Sequence, residues 1–293
     1  MATRLQSNRP ECFLFTVDVE EWFHTKWFSL EKIGYATRSP PRTSVLESVK
    51  KICMMLSKYR IPGTFFVLAE TYLRYPSVID TILDGGRNEV GIHGYSHRGI
   101  FELGVGGFRD EISSAKRLLE DATGGEIVGY RAPNFSYNMT AAMALTDMGF
   151  SYDSSLNPCI RIPGWYGYPT IPTSPFRVGP DNNCKGTFTE IPSSVFPLLR
   201  LPGNGGWFLR NIGIMYVKTL LEMSASANGY SMFYIHPWEF SEERPTLPAT
   251  QFHVFRNCGT RTQEWTELIL KSANERMRFL TVSQYLGQRE MAS

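Results

Sequence analysis

Segments typical of strands and segments typical of helices alternate along the first 150 residues of this chain, and this alternation limits its possible folds most strongly. Short apolar runs predict strands at residues 12–17, 64–68, 89–93, 127–131 and 150–154. The segments between them predict helices at 43–60, 76–84, 108–122 and 141–148. Because one helix separates consecutive strands, we expect parallel strands joined by right-handed crossovers.

The alternation breaks between residues 157 and 207, a stretch that holds half of the chain's 18 prolines. We expect an irregular Pro/Gly-rich excursion there, with one strand at 187–191, and no separate domain. The pattern then resumes with two helices and two strands, at 212–227, 265–277, 231–236 and 279–282. About seven strands in one α/β domain over 1–293 predict a barrel closed by parallel strands. A doubly wound open sheet is the alternative, although no G-x-G-x-x-G sequence follows the first strand.

Charge and composition exclude several classes of protein. With 30 basic and 28 acidic residues the net charge is +2, so we expect neither a nucleic-acid-binding protein nor one that binds anionic membranes. No apolar stretch approaches the roughly 18 residues of a membrane-spanning helix. The polar segment 1–10 and five scattered cysteines predict a cytoplasmic protein with reduced thiols and without a secretory signal. The oligomeric state stays open.

Acidic side chains follow the first predicted strand. Asp18 and Glu20 lie on one side of an extended chain, whereas Glu21 points to the other, because side chains alternate along a strand. Two adjacent carboxylates are costly to ionise together unless a cation lies nearby. Reactive side chains gather at the carboxyl ends of parallel strands, so this strand end is a candidate site. Solvated acids at a strand end are an equally good interpretation of this segment alone.

Histidines and an arginine follow other predicted strands. Two of the five histidines, His93 and His97, come after the third strand, and on a helical turn residues i and i+4 share a face on which both imidazoles can hold one metal ion. Two histidines and one carboxylate with an open coordination position are typical of a catalytic zinc site. Arg131 and His236 end two further strands, and each taken singly is better explained by a structural role.

Taken together, these strand ends resemble the motifs of the polysaccharide deacetylases with a NodB-homology domain. The similar stretches are T-V-D-V-E at 16–20, H-G-Y-S-H at 93–97, R-A-P-N-F at 131–135 and Y-I-H at 234–236. The resemblance covers residues 13–286 and implies a distorted (β/α) barrel that removes N-acetyl groups from sugars with a divalent metal, which we expect to be Zn²⁺. The stretches D-V-E-E-W-F, Y-R-A-P-N-F-S and H-P-W-E are most similar to the branch found with bacterial exopolysaccharide loci.

The resemblance implies a role for each residue at these strand ends. The metal ligands that it implies are Glu20, His93 and His97. Asp18 is then the general base that takes a proton from water, and Arg131 pairs with Asp18 and keeps it ionised. His236 is the general acid that protonates the leaving nitrogen. A backbone N–H near Asn134 or Phe135 stabilises the oxyanion.

The sequence departs from the usual family motifs at several positions. Val19 stands where the first motif usually has its second aspartate, so the metal-binding carboxylate is assigned to Glu20 by strand alternation. Gly94 stands where the second motif has serine or threonine, and Asn134 is inserted before the aromatic residue of the third. The tryptophan of the fourth motif, which flanks the acetyl pocket, has two candidates, Trp165 and Trp207.

Aromatic side chains are candidates for a groove in which sugar rings stack. The substrate-binding residues that we predict are Phe135, Trp207 and Trp238. Further candidates are Trp22, Trp165, Tyr166 and Tyr168, for each of which packing in the core or at the surface is the plainer interpretation. The expected partner is an N-acetylated saccharide. Two alternatives stay open: a deacylase of a small or lipid-linked amino sugar or cyclic amide, and a catalytically inactive carbohydrate-binding barrel.

Overall fold

The computed structural model describes residues 11–25, 43–163, 166–179, 188–243 and 252–291. Strands of the described residues are β1 (Cys12–Val19), β2 (Thr64–Val67), β3 (Glu89–Ile92), β4 (Gly129–Tyr130), β5 (Tyr152–Asp153), β6 (Phe176–Arg177), β7 (Thr189–Glu190), β8 (Tyr230–Ile235) and β9 (Arg278–Phe279). Their α-helices are α1 (Val45–Tyr59), α2 (Ala69–Arg74), α3 (Ser77–Leu83), α4 (Ile100–Thr123), α5 (Met139–Asp147), α6 (Gly206–Asn211), α7 (Ile214–Asn228), α8 (Phe252–Phe255), α9 (Thr260–Asn274) and α10 (Val282–Glu290). Short 3₁₀ helices cover Trp22–His24, Pro133–Phe135 and Pro237–Phe240.

One mostly parallel sheet organises the chain. Its path runs β7-β5-β4-β3-β2-β1-β8 with every neighbouring pair parallel, and β9 pairs with β1 in the same direction. These seven strands in parallel order confirm the expected distorted α/β barrel. The antiparallel pairing of β6 with β7 was not predicted, because a two-residue strand inside a proline-rich stretch has no hydrophobic period to read.

The predicted closure of the barrel by parallel strands is not seen: no ladder among the described residues joins the two ends of the sheet at β6 and β8, so the sheet is a half-barrel. An irregular segment, 192–205, lies against the free edge of β8 instead. The Met232 amide donates to Ser194 Oγ at 2.8 Å, and the Tyr234 amide donates to the Asn204 carbonyl at 3.0 Å. The expected excursion therefore completes one wall of the half-barrel with single hydrogen bonds.

Alternation along β1 separates two apolar layers. Leu14 faces inwards and packs with Phe66 and Met232 from neighbouring strands, whereas Phe15 and Val17 face outwards into the larger core under the helices. Both faces are buried, as is usual for a parallel strand. Towards the carboxyl end of β1 the inward positions become polar at 16 and 18, and the reactive end of the half-barrel begins there.

Most predicted helices and strands are present, with shifted boundaries. The longest helix, α4, begins at Ile100 and is broken at Gly104, where φ is 65°. Residue 187 of the predicted strand 187–191 lies outside the described residues, and Cys184 does too. The cysteines at 12, 53, 159 and 258 form no disulfide. Within the described ranges no helix combines the length and the apolar character needed to cross a membrane.

Candidate functional site

A cleft of about 610 Å³ opens at the carboxyl ends of β1, β3, β4 and β8. Asp18 and Glu20 enter it from the end of β1, and His93 and His97 from the loop after β3. His236 follows β8, the strand paired with β1, and its side chain also lines the cleft. The structure thus brings the residues of all four motif-like stretches to one cleft, although they are up to 218 positions apart in the sequence.

Three side chains in this cleft form a group suited to a metal ion. Glu20 Oε2 lies 3.1 Å from His93 Nε2 and 2.5 Å from His97 Nε2, and the candidate ligand atoms all lie within 4.8 Å of one another. All three side chains are nearly inaccessible to solvent. Burial alone would raise the pKa of Glu20, but the adjacent imidazoles hold it well below its usual range. The carboxylate is therefore ionised and directed at both rings.

Hydrogen bonding at His93 tests whether a metal ion fits this group. His93 Nδ1 lies 3.0 Å from the carbonyl oxygen of Arg131, which can only accept, so Nδ1 carries the proton. In a neutral ring Nε2 then presents its lone pair to the Glu20 carboxylate. Such a lone pair and a carboxylate oxygen, 3.1 Å apart, can share one bound cation, and without a cation the same contact requires a proton on Nε2 as well. A backbone carbonyl that fixes the tautomer in this way is a common support for a metal-binding histidine, so the donor set fits zinc.

The loop between the two histidines corrects one expectation. Residues 93–97 form no helical turn; the chain passes through Gly94 with φ 103° and reaches His97 with φ 60°. The imidazoles meet because of these left-handed residues, not because of helical spacing. Gly94 also faces Pro133, where an added Cβ would lie 3.3 Å from the ring, which explains why no serine or threonine stands there.

Asp18 has a different partner from Glu20. Arg131 is completely buried and donates to Asp18 Oδ1 at 2.8 Å and to Thr16 Oγ1 at 2.9 Å. Its other nitrogens donate to the carbonyl and hydroxyl oxygens of Ser154. The guanidinium is therefore fixed on both sides, and it holds one carboxylate oxygen of Asp18 in place while Asp18 still lines the cleft.

His236 lines the cleft near Glu20, with the carboxylate of Glu239 behind it. Its Nε2 is 3.8 Å from Glu20 Oε1, and its Nδ1 is 3.4 Å from Glu239 Oε2. Burial would lower the pKa of His236, but Glu239, Glu20 and Asp18 together raise it to about 9. Glu239 is itself paired with buried Arg210, whose Nε and Nη2 donate to Glu239 Oε1 at 3.0 and 2.9 Å.

Sequence analysis assigned no role to Glu239 or Arg210. The H-P-W-E stretch contained the only available signal, a carboxylate three residues after His236. Arg210 gave none, because it comes from α6, 29 positions away from Glu239.

Glu21 and His24 flank the cleft without joining its carboxylates. Glu21 accepts from the Thr43 hydroxyl and lies 3.6 Å from Arg74, so it faces away from Glu20 as alternation predicts. Burial raises the pKa of Glu21 to about 7. His24 stacks on His97 with ring centroids 5.2 Å apart, and its Nδ1 accepts the Glu21 amide. Burial and the nearby His97 lower the pKa of His24 to about 3, so this ring is neutral.

The aromatic candidates divide between the cleft and the core. Phe135, Trp207 and Trp238 all line the cleft, and Trp238 stacks on His236 with ring centroids 5.5 Å apart. Tyr234 also lines it and was not predicted. Of the further candidates, Trp22, Tyr166 and Tyr168 pack outside the cleft lining, and Trp165 lies outside the described residues.

One of the two amides proposed for the oxyanion is already in use. The Phe135 amide donates to the Ala132 carbonyl at 3.2 Å within the short helix after β4, so it is the less available of the two for an oxyanion. Asn134 lines the cleft in a left-handed conformation with φ 51°, and its backbone amide remains the candidate.

Comparison with known families agrees with this geometry. The family model described as polysaccharide deacetylase matches residues 41–152, and one described as a domain of unknown function (DUF3473) matches residues 154–287. A peptidoglycan deacetylase of Helicobacter pylori is 30% identical over 108 residues, which are 37% of this chain and 36% of that protein. A peptidoglycan-N-acetylglucosamine deacetylase of Bacillus cereus is 27% identical over 128 residues, 40% of this chain and 43% of that one. The matches thus span less than half the length of these relatives.

Solved structures share the fold over nearly the whole chain. One from Mycobacterium smegmatis, described as a polysaccharide deacetylase, superposes with a TM-score of 0.71 at 18% identity and covers 99% of this chain and 93% of its own. An allantoinase superposes with a TM-score of 0.63 at 17% identity, covering 98% and 95%. A CE4 family pseudoenzyme of Bacillus anthracis superposes with a TM-score of 0.55 at 13% identity, covering 95% and 66%. At these identities the likeness establishes the fold alone.

Proposed function

We propose that this chain, which carries a polysaccharide deacetylase domain, is a metal-dependent hydrolase that removes N-acetyl groups from an amino-sugar polysaccharide or oligosaccharide and releases acetate. The observation that carries the proposal is the contact of Glu20 Oε2 with the Nε2 atoms of His93 and His97, at 3.1 and 2.5 Å. Around this group the cleft supplies a positioned carboxylate, Asp18, and an imidazole, His236.

Asp18 is placed to act as the general base. A divalent cation held by Glu20, His93 and His97, which we propose is Zn²⁺, supplies polarisation of the acetamide carbonyl and a lower pKa for water in the site. Asp18 accepts the proton that water loses as its oxygen attacks the carbonyl carbon. Arg131 holds Asp18 Oδ1 at 2.8 Å, so the carboxylate is oriented before the attack.

His236 is placed to act as the general acid. The tetrahedral oxyanion accepts a hydrogen bond from the Asn134 amide. The imidazolium of His236 donates its proton to the sugar nitrogen as the carbon–nitrogen bond breaks, which leaves acetate and a free amine. Glu239 lies behind Nδ1 and is held by Arg210, so it favours the protonated ring in this orientation. Phe135, Trp207 and Trp238 contact the sugar.

The relatives and the composition support the choice of substrate and compartment. Both relatives above are named for peptidoglycan or its N-acetylglucosamine, so we propose an N-acetylated amino sugar as the group recognised. The sequence stretches noted earlier favour the exopolysaccharide branch of the family. We further propose a cytoplasmic location, on the ground of the scattered cysteines.

Acetate release from N-acetylglucosamine oligomers of increasing length tests the proposal. The purified chain is assayed as isolated, after treatment with a chelator, and after Zn²⁺ is returned. We expect release that increases with oligomer length, that the chelator abolishes and that zinc restores. Release from a cyclic amide alone would favour the alternative suggested by the allantoinase fold. Saccharide binding by the zinc-loaded chain without any acetate would identify an inactive binding barrel and would contradict the proposal.

A further inference from the structure

A rigid hairpin beside the cleft presents two leucines to solvent. Val195 and Pro202 form an antiparallel bridge, and the Arg200 amide donates to the Phe196 carbonyl at 2.8 Å, so residues 195–202 are a closed turn. At its tip Leu198 is 87% exposed and Leu199 is 63% exposed. Burying a leucine in an apolar environment is favourable, so an ordered turn that displays two of them is suited to contact another apolar phase.

Further exposed apolar side chains lie on segments that are bonded to this hairpin or packed near it. The Ile160 amide donates to the Arg200 carbonyl at 2.8 Å, which places Ile160 against the hairpin. On the other side Phe196 packs on Tyr216 of α7 with ring centroids 5.1 Å apart. The exposed residues extend to α8, because Asn211 at the end of α6 donates through Nδ2 to the carbonyl of His253 in α8. We call these exposed residues the apolar rim: Ile160, Leu198, Leu199, Ile212, Met215 and Phe252.

Positive charges predominate beside the apolar rim, although the exposed carboxylate of Glu242 accepts from the Thr260 amide and hydroxyl. Arg161, Arg200 and Arg256 adjoin it in sequence, and the described segments 156–163, 191–221 and 252–263 contain no aspartate or glutamate. The net charge of the whole chain is +2, and from it we expected no binding to anionic membranes. That total does not reveal a local excess of basic residues in these segments. Apolar side chains flanked by arginines match the interface of a bilayer that contains anionic lipid.

We propose that the apolar rim rests on an anionic lipid surface and holds the cleft at the membrane. The hairpin packs against the wall of the cleft, because Val195 belongs to one apolar cluster with Phe135 and Tyr234, which line the cleft. A docked rim would present the cleft to saccharide attached to, or emerging from, the bilayer. The proposed membrane contact depends only on the apolar rim, whereas the proposed position of the saccharide rests on the proposed function.

Flotation of the full chain with vesicles tests this surface. The probes are vesicles of phosphatidylcholine alone and of phosphatidylcholine mixed with phosphatidylglycerol. We expect binding to the mixed vesicles, weaker binding at high salt, and little binding to the neutral ones. The double variant L198S/L199S should bind at least about tenfold more weakly, since two leucines no longer enter the interface. Both positions are exposed, so its thermal unfolding should match that of the wild type.

A matched control and a second assay separate the possible outcomes. Met54 on α1 is 72% exposed and lies outside the apolar rim, so M54S should bind like the wild type. Acetate release from soluble oligomers should be the same in L198S/L199S as in the wild type. Flotation is measured without saccharide, so vesicle binding can be interpreted even if the chain releases no acetate. The proposal would be overturned if the wild-type chain bound neither vesicle type, or if L198S/L199S bound the mixed vesicles as well as the wild type. A wild-type dimer that L198S/L199S converts to monomer, with no vesicle binding, would assign the rim to a second copy.

Discussion

Two carboxylates two positions apart at the end of β1 have different surroundings. Asp18 accepts from Arg131 at 2.8 Å, and it does not belong to the group of side chains suited to a metal. Glu20 contacts both His93 and His97 through a single oxygen. The chain turns directly after β1, where the Glu20 amide donates to the Asp18 carbonyl. Both carboxylates line the same cleft, although they contact different partners.

We expect D18N and E20Q to fail in different ways. D18N removes a proton acceptor and leaves the three ligands, so zinc should stay bound while kcat falls by about 10²- to 10⁴-fold and KM changes little. E20Q weakens a ligand, so its activity loss should be partly reversed by excess zinc. The measurement is kcat across a zinc titration, with bound metal determined in parallel.

The adjacent carboxylate provides the control for this pair. Glu21 faces Thr43 and Arg74 on the other side of the chain, so E21Q should keep activity within a few-fold and keep its zinc. Rescue of D18N by zinc, or a metal-free D18N, would show that Asp18 is a ligand. Loss of metal in E21Q but not in E20Q would show that the two neighbours have been assigned the wrong way round.

Among the structural elements, the loops at the strand ends determine the geometry of the site. Gly94 and His97 after β3, and Asn134 and Phe135 after β4, all have positive φ. Such conformations are costly for residues with side chains and persist where the surroundings enforce them. The two loops also touch, because Gly94 faces the ring of Pro133. The positions of the histidines therefore depend on the backbone of both loops.

Replacing Gly94 by alanine should weaken metal binding. The φ of 103° is unfavourable for alanine, and its Cβ would lie 3.3 Å from Pro133, so the loop must shift and move His97 relative to Glu20. We expect zinc affinity to fall by about 10- to 100-fold, as for losses of groups that support metal ligands. Competition with a chromophoric chelator measures this affinity.

Gly149 offers a matched control for that substitution. It also has a positive φ, 81°, but nothing lies within 4 Å of its added Cβ. G149A should therefore lose stability for the same backbone reason and keep the zinc affinity of the wild type. Equal zinc affinities in G94A and G149A would mean that this loop does not position the ligands.

Local patterns predicted the elements but not these loops. Buried strands such as β1 and β8 are readable because they are continuous apolar runs, and the cleft residues were identified because they end such runs. The left-handed backbone conformation of His97 cannot be recognised from the spacing of apolar residues. The helical turn expected between His93 and His97 was therefore wrong. The pairing of Arg210 with Glu239 joins α6 to the residues after β8, and only the folded chain brings them together.

Across the whole molecule, the buried polar layer extends beyond the cleft to β5 and β7. Asp153 and Glu190 are directly opposite in the parallel register, and both are completely buried. Burial raises the pKa of Asp153 to about 6, and burial together with the charge of Asp153 raises the pKa of Glu190 well above its ordinary value. Asp153 Oδ2 and Glu190 Oε2 are both buried, and neither accepts a hydrogen bond from another described group. At neutral pH the pair therefore holds one proton that the unfolded chain would release.

This shared proton makes the stability of the fold depend on pH. The folded pKa values lie above the unfolded ones, so the stabilisation is fully present below about pH 4, in the range of unperturbed carboxyl groups. It is lost progressively as the pH rises through about 6, where Asp153 ionises, and further towards the higher pKa of Glu190. The amide of E190Q is neutral at every pH and can still accept the Leu156 amide, which bonds Glu190 Oε1 at 2.9 Å.

We therefore expect E190Q to gain stability relative to the wild type as the pH rises from 5 to 8. Above its unfolded pKa, Glu190 keeps a proton in the folded wild type that it loses in the unfolded chain, and E190Q has no such proton. The difference in unfolding free energy between the two proteins should therefore grow by up to about 1.4 kcal/mol per pH unit. Urea unfolding of both proteins at several pH values measures it. The control is E47Q, which removes an exposed carboxylate on α1 and should keep a constant offset from the wild type. A constant offset for E190Q as well would show that Asp153 and Glu190 share no proton in the folded chain.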